Sequence, residues 1–432
     1  MIPLSLDEVA ALCPGRLDRA PWADEATGVQ IDSRRIEEGD LFVAVGSGED
    51  YLKHAFARGA GAVLVPESPF GALAALGSAV RGCSSAQVVG ITGSTGKTST
   101  KDILAALCRP HARTVAAEAG HNNEIGLPLT LTRIEPDTEI VVCEMGMRGL
   151  GQIAELCAVA RPEIGVITSI GPVHLELLGT VDRVAEAKAE VVASLPAGGT
   201  AVVPDEPVLD QFVARDDIEV RRFRAADVQA FRPLEEGARV RLSVLGRTHE
   251  LDFPFTAHYQ ALNALAALHA YDVLGLPLEE AQEGASGVEL SRWRGEESEL
   301  PGGGLLINDA YNANPVSMKA ALQHLAERAG DRRTVAILGD MAELGPDAPT
   351  YHARVGLAAD GAGIDVLLAV GTLAQAYLEG AAGVPEKRGV ETVDEAIAAL
   401  GELLWPGDCI LVKASRAMGL EDVAEAITAV RA

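Results

Sequence analysis

The residues best suited to chemistry form one short run. Thr92-Gly93-Ser94-Thr95-Gly96-Lys97-Thr98-Ser99 follows the apolar segment 88–91 and leads into a helix-forming stretch that extends to about Cys108. Glycines at such a junction let backbone N–H groups turn toward an anion, and the new helix adds its positive end. Lys97 suits the β- and γ-phosphates of a nucleotide, and the Thr98 hydroxyl suits Mg²⁺. The run departs from G-x-x-x-x-G-K-[ST]: Ile91 stands where the first glycine belongs, and Gly93 lies two residues later. A plain strand-to-helix turn rich in Gly and Thr is the competing reading. The order strand, loop, Lys-Thr and helix argues for a phosphate loop instead.

Three more side chains could hold a second cation. Glu144 ends the apolar run 140–143, and a carboxylate at the C-terminal end of a parallel strand points into the ligand crevice. A solvated strand end is the bland alternative. His174 lies in the loop after the run 164–169, and alone it is an ordinary loop histidine. Lys188 says more. Thr180 suits the N-cap of a helix running to about Leu195, on which Val181, Val184, Val191 and Leu195 form an apolar stripe. Lys188 falls in the middle of that stripe, while Glu186 and Glu190 lie on other faces. A bare buried ammonium is costly unless it is paired or loses its proton. Three readings stay open: a buried stem with a snorkelling head, pairing with an acid, or chemical conversion of the amine.

These groups need strands that end on a common edge, and the chain's rhythm supplies them. Short strands are expected at 40–45 and 62–65, and a Gly- and Ala-rich stretch, 71–85, leads into the strand at 88–91. Buried strands follow at 140–143 and 164–169, in a β-then-α order that implies an α/β class with a parallel sheet. A helix-rich stretch, 260–274, precedes a polar segment, 291–299. The rhythm then resumes, with strands at 305–307, 335–338, 366–370 and 410–412 and helices from Ser317 and after Thr350. Three domains are expected, at 1–86, 87–290 and 291–432.

Bulk properties exclude several classes. The 432 residues carry 36 Lys and Arg against 62 Asp and Glu, a net charge of −26. Such a surface repels nucleic acid and anionic lipid, and 4% aromatics offers few stacking platforms. Six scattered cysteines without a C-x-x-C pair read as reduced and buried, which suits the cytoplasm. Residues 1–10 do not look like a signal peptide, and no apolar run is long enough to span a membrane. No heptads push toward assembly, so a monomer is expected.

An ordered set of motifs carries a family resemblance. It comprises Asn122-Asn123-Glu124-Ile125-Gly126-Leu127-Pro128-Leu129-Thr130, Glu144-Met145-Gly146, His174-Leu175-Glu176 and Ala187-Lys188-Ala189-Glu190. It continues with Asn308-Asp309-Ala310-Tyr311-Asn312-Ala313-Asn314-Pro315, Leu338-Gly339-Asp340-Met341-Ala342-Glu343-Leu344-Gly345 and Lys413-Ala414-Ser415-Arg416. Together they resemble the Mur ligases over nearly the whole chain. The resemblance implies a first domain that binds the UDP end of a substrate, a central P-loop ATPase domain and a Rossmann-like third domain that acts as a lid. It implies ATP, two Mg²⁺ ions and a CO₂-derived carbamate on Lys188 that joins Thr98, Glu144 and His174 as metal ligands. By the same resemblance Asn263 lies near adenine. Arg294, Asp309, Tyr311 and Asn312 meet the nucleotide, and Asp32, Ser33, Arg34, Asn122 and Asn123 serve the UDP-substrate. The implied reaction joins UDP-N-acetylmuramoyl-tripeptide to D-alanyl-D-alanine through an acyl phosphate, with His174 or Glu176 available to take the amine's proton.

The match has departures. Ala414 replaces a glycine, Asn308 stands where a first Asp is usual, and Tyr259 occupies a histidine position with His258 one residue early. Gly48-Glu49-Asp50-Tyr51 is a contracted form of a longer substrate-domain run. Two rival readings remain: a sister amide ligase with another acceptor, such as a folylpolyglutamate synthase, and a P-loop switch or motor that only hydrolyses nucleotide.

Overall fold

The computed structural model describes residues 1–118 and 120–430. The phosphate-loop strand, Gln87–Thr92, lies inside a six-stranded, wholly parallel sheet. The order is Glu219–Phe223, Thr200–Pro204, Ile164–Ile167, Gln87–Thr92, Ile140–Glu144, Thr114–Ala116. The middle strands are buried along their length, as apolar runs in a parallel sheet require. Register sets the site. Ile91 pairs with Glu144 and Thr92 with Ile167, so three strands finish level and their loops leave from one edge.

The chain forms two compact units. One comprises Met1–Ser169, Ala185–Phe255 and Leu262–Glu289; the other comprises Ile170–Val184, Thr256–Ala261 and Leu290–Ala432. Besides the parallel sheet, the first unit holds a four-stranded sheet ordered Gly15–Arg19, Ala62–Pro66, Asp40–Val43, Gly28–Gln30. It also holds an antiparallel meander of Val228–Pro233, Ala238–Val244 and Arg247–Phe253. The second unit has its own six-stranded sheet, ordered Glu296–Leu300, Gly304–Asn308, Cys409–Lys413, Thr334–Gly339, Val366–Val370, Glu386–Val390. Only Glu296–Leu300 runs antiparallel to its neighbour.

The structure adds two elements and changes one expectation. The Gly- and Ala-rich stretch is a helix, Pro69–Gly82, with the Ser68 side chain accepting from Gly71 N and a proline in the first turn. The polar segment before Gly302 contributes the edge strand Glu296–Leu300. All six cysteines are free thiols, but Cys83 is exposed while the other five are buried. Among the described residues, no helix is long and apolar enough to cross a membrane.

Candidate active site

The phosphate loop is held by its own geometry and by the next strand end. Gly93 has φ +152° and a Cβ there would sit 1.9 Å from Thr168 Oγ1; Gly96 has φ +81° and a Cβ would sit 2.1 Å from Asn263 Oδ1. Neither position admits another residue without displacement. Ser94 N donates to Ser169 O at 2.9 Å, and Thr95 N donates to Ser169 Oγ at 2.9 Å. The Thr168 hydroxyl donates to the carbonyls of Thr92 (3.2 Å) and Thr95. Gly96 caps the helix Lys97–Cys108, so the loop's backbone amides meet the helix's positive end. Thr92, Thr98 and Ser99 are buried, and Lys97 Nζ donates to Gly93 O at 2.7 Å. Lysine thus folds over the concavity where an anion would lie. Asn263, named on resemblance for the adenine side, packs against Gly96 itself.

Glu144 meets this loop from the neighbouring strand. Thr98 Oγ1 donates to Glu144 Oε2 at 2.6 Å, and Asn122 Nδ2 donates to Glu144 Oε1 at 2.8 Å. A hydroxyl and a carboxylate converging on one point are hard oxygen donors, which fits Mg²⁺. Asn123 does something different: its Oδ1 accepts from Ile125 N and Gly126 N, turning the chain into the helix Gly126–Leu131.

Lys188 lies on the helix Val181–Ala193, which starts with Thr180 Oγ1 accepting from Arg183 N at 3.3 Å. The inward stripe is as expected: Val184, Val191 and Leu195 are buried, and Lys188 is 1% exposed. The head does not snorkel to solvent. Burial first, and the positive charge of Lys97 second, hold the amine's pKa well below that of an ordinary lysine. Glu190, two residues on, accepts from Gly151 N (2.5 Å) and Ala154 N (3.0 Å), tying this helix to the start of the helix Gln152–Ala160.

In the first unit Asp32 caps a short 3-10 turn, Ser33–Arg35, that carries Ser33 and Arg34. Asp32 accepts from Arg34 N and from its guanidinium at 2.8–3.2 Å, bonds that hold its carboxyl down at about 2. Ser33 Oγ lies 2.9 Å from His54 Nδ1.

The second unit gathers another cluster. The Arg294 guanidinium stacks 4.0 Å above the Tyr311 ring, and Arg416 lies 4.6 Å from the Trp293 ring. Buried Lys413 donates to Asp309 Oδ2 at 2.6 Å and to Asn312 O at 2.9 Å. Tyr259, at the altered histidine position, is half-buried with its hydroxyl against Gly295, and the loss of solvent there raises its pKa well above that of an ordinary tyrosine. His174 Nδ1 is hydrogen-bonded to Glu343. Among the described residues, no three His, Cys, Asp or Glu side chains gather into a metal site.

Sequence reasoning misses Thr168, Ser169 and Glu343. The first two follow the strand Ile164–Ile167, so the strand-end argument that picks out Glu144 applies to them as well. Glu343 sits in a motif that marks the family without pointing to a role for this side chain.

Known proteins resemble this chain in sequence and fold. Residues 91–271 match the Mur ligase middle domain, and residues 293–416 match the Mur ligase, glutamate ligase domain. The UDP-N-acetylmuramoyl-tripeptide–D-alanyl-D-alanine ligase of Bacillus subtilis is 33% identical, over 98% of each chain. The crystal structure of MurF from Acinetobacter baumannii superposes with a TM-score of 0.87 at 26% identity, covering 99% of each chain. That of MurF ligase from Thermotoga maritima in complex with ADP gives 0.79 at 27% identity, covering 93% of this chain and 97% of that one. The three-domain α/β fold is common to them all. With both domain matches and full-length likeness to such ligases, the chain belongs to the Mur ligase family.

Proposed function

We propose that this chain is an ATP-dependent, ADP-forming amide ligase that adds D-alanyl-D-alanine to UDP-N-acetylmuramoyl-tripeptide. The observation that carries the reading is the full-length likeness to curated ligases of that name, in a chain whose phosphate loop and Glu144 are already assembled. In the reaction, the tripeptide's terminal carboxylate attacks the γ-phosphorus of ATP, releasing ADP and forming an acyl phosphate. The dipeptide's amine then attacks the acyl carbon, phosphate leaves, and the amine gives up a proton. Activation is needed because a free carboxylate is a poor electrophile.

The chain's own residues divide the work. The loop amides cradle the β- and γ-phosphates, and Lys97 exchanges Gly93 O for phosphate oxygens. Thr98 and Glu144 would hold Mg²⁺, and His174 and a carbamate on Lys188 would serve as further ligands. Bound Mg²⁺ supplies charge neutralisation on the transferring phosphoryl group. The low proton affinity of the Lys188 amine favours the carbamate, because CO₂ adds only to a neutral amine. Asn263, Arg294, Asp309, Tyr311 and Asn312 serve the nucleotide; Asp32, Ser33, Arg34, Asn122 and Asn123 serve the UDP-substrate.

The test is phosphate release from ATP with UDP-N-acetylmuramoyl-tripeptide, with and without D-alanyl-D-alanine. Sustained release is expected only with both. Release with nucleotide alone would support a hydrolytic switch, and release with a different amine acceptor would point to a sister ligase.

A further inference from the structure

His174 and Glu343 are joined side chain to side chain, Nδ1 to Oε2, although 169 residues separate them. Both backbones are left-handed, with φ 54° at His174 and 62° at Glu343. Residues with a Cβ rarely adopt that conformation, and they persist in it only where their surroundings fix it. Here they do. Leu177 N and Leu178 N donate to His174 O at 3.2 and 3.0 Å, starting a short helix on the histidine. Glu176 N donates to Glu343 O at 3.2 Å, so the two segments are also bonded through their backbones. On the other side, Met341 N donates to His352 Nε2 at 2.9 Å and Ala342 N donates to Ser415 Oγ at 2.9 Å. His352 is itself fully buried, with Nδ1 2.7 Å from Ala348 O and its ring edge-on to Tyr377. The carboxylate therefore reaches His174 from a loop pinned at three successive residues.

A neutral imidazole whose Nδ1–H donates to a carboxylate carries its lone pair on Nε2. We propose that Glu343 is a positioning residue for His174, fixing the ring so that Nε2 is the nitrogen that serves the ligase reaction. The inference rests on the ligase reading and on His174 taking part in it. It also gives the Leu338–Gly345 motif a chemical role, since this loop delivers one carboxylate to one ring nitrogen.

The test uses the full chain labelled with ¹⁵N-histidine, with His174 assigned among the nine histidines by its loss in His174→Gln. At about pH 8.5, where an ordinary imidazole is neutral, the wild type should show His174 with Nδ1 protonated and Nε2 bare. An Nε2-protonated ring, or averaged shifts for the two nitrogens, would overturn the proposal, whatever any variant does. Glu343→Ala should average those shifts and lower kcat/KM by about 10- to 100-fold, with Glu343→Gln recovering part of both. A folded Glu343→Ala enzyme with kcat/KM within about twofold of wild type would equally overturn it. If wild type releases no phosphate with both substrates, the ligase reading fails instead, and the spectrum still judges the pairing.

Discussion

An amine that has shed its proton can attack CO₂; an ammonium cannot. Lys188 is placed to be the former, because its head lies inside an apolar stripe and faces a second lysine's charge. That orientation is legible in the sequence from spacing alone, since Val184, Lys188 and Val191 share a helical face. Its chemical use is not, because spacing says where a side chain points and nothing about what becomes of it. Lys188→Ala should lower phosphate release by at least about 100-fold. Bicarbonate should not restore it, whereas short carboxylic acids that mimic the carbamate should restore part. Lys188→Met should be equally inactive, yet unfold at the same temperature as wild type or higher, since a buried amine is exchanged for an apolar chain of similar size. Full activity in either variant would sink the carbamate assignment. Glu343 illustrates the opposite limit. No pattern local to residues 338–345 announces a partner 169 positions away, and only the fold supplies it.

At the scale of elements, strands with continuous apolar runs are readable and disguised helices are not. Pro69–Gly82 carries Leu73, Leu76 and Val80 at helical spacing, with Ser68 as cap, but its glycines and alanines dilute the stripe. The strands between Glu219 and Phe253 escape a reading by apolar runs because charged residues punctuate them, as at Arg221, Arg222, Arg239 and Arg241. One helix invites a stability measurement. His269, on Gln260–Val273, is 3% exposed beside Phe223, and neither ring nitrogen has a hydrogen-bond partner among the described residues. Burial, aided by Arg221, pushes its pKa down to about 4, against the opposing pull of Asp227 and Asp272. The fold therefore favours the neutral ring. That contribution is fully present above the unfolded value near 6.5 and is lost as pH falls toward 4, on the order of 3 kcal/mol in all. Urea midpoints should fall across that window in wild type and fall less in His269→Phe. Parallel curves for the two proteins would show that His269 does not carry the effect.

The whole molecule is strongly acidic, at −26, and its proposed substrates are anions. Self-repulsion of that size weakens the compact state and is screened within about 10 Å at 0.1 M salt. Raising NaCl from about 10 to about 200 mM should therefore raise the calorimetric midpoint by a few degrees; a lower midpoint would mean that screened ion pairs outweigh the repulsion. At this scale the motifs reveal the order of the parts along the chain but not their grouping. Ile170–Val184 and Thr256–Ala261 fold with the C-terminal residues although they are embedded in the central stretch. That partition depends on packing between distant segments, and no local composition marks it.

The order of strands in the two large sheets has a further consequence. Every sheet that does not close on itself ends in two edge strands, each with one side on which another chain could build. In the second unit those strands are Glu296–Leu300 and Glu386–Val390, which carry Glu296, Glu297 and Glu299 on one side and Glu386, Lys387 and Arg388 on the other. In the first unit they are Glu219–Phe223, with Glu219, Arg221 and Arg222, and Thr114–Ala116, only three residues long. A newcomer strand would have to lie beside charge or find almost nothing to grip. Strand addition to either of these two large sheets in the native state is thus disfavoured at all four of their borders, and growth there has to begin from a molecule in which they have already come apart.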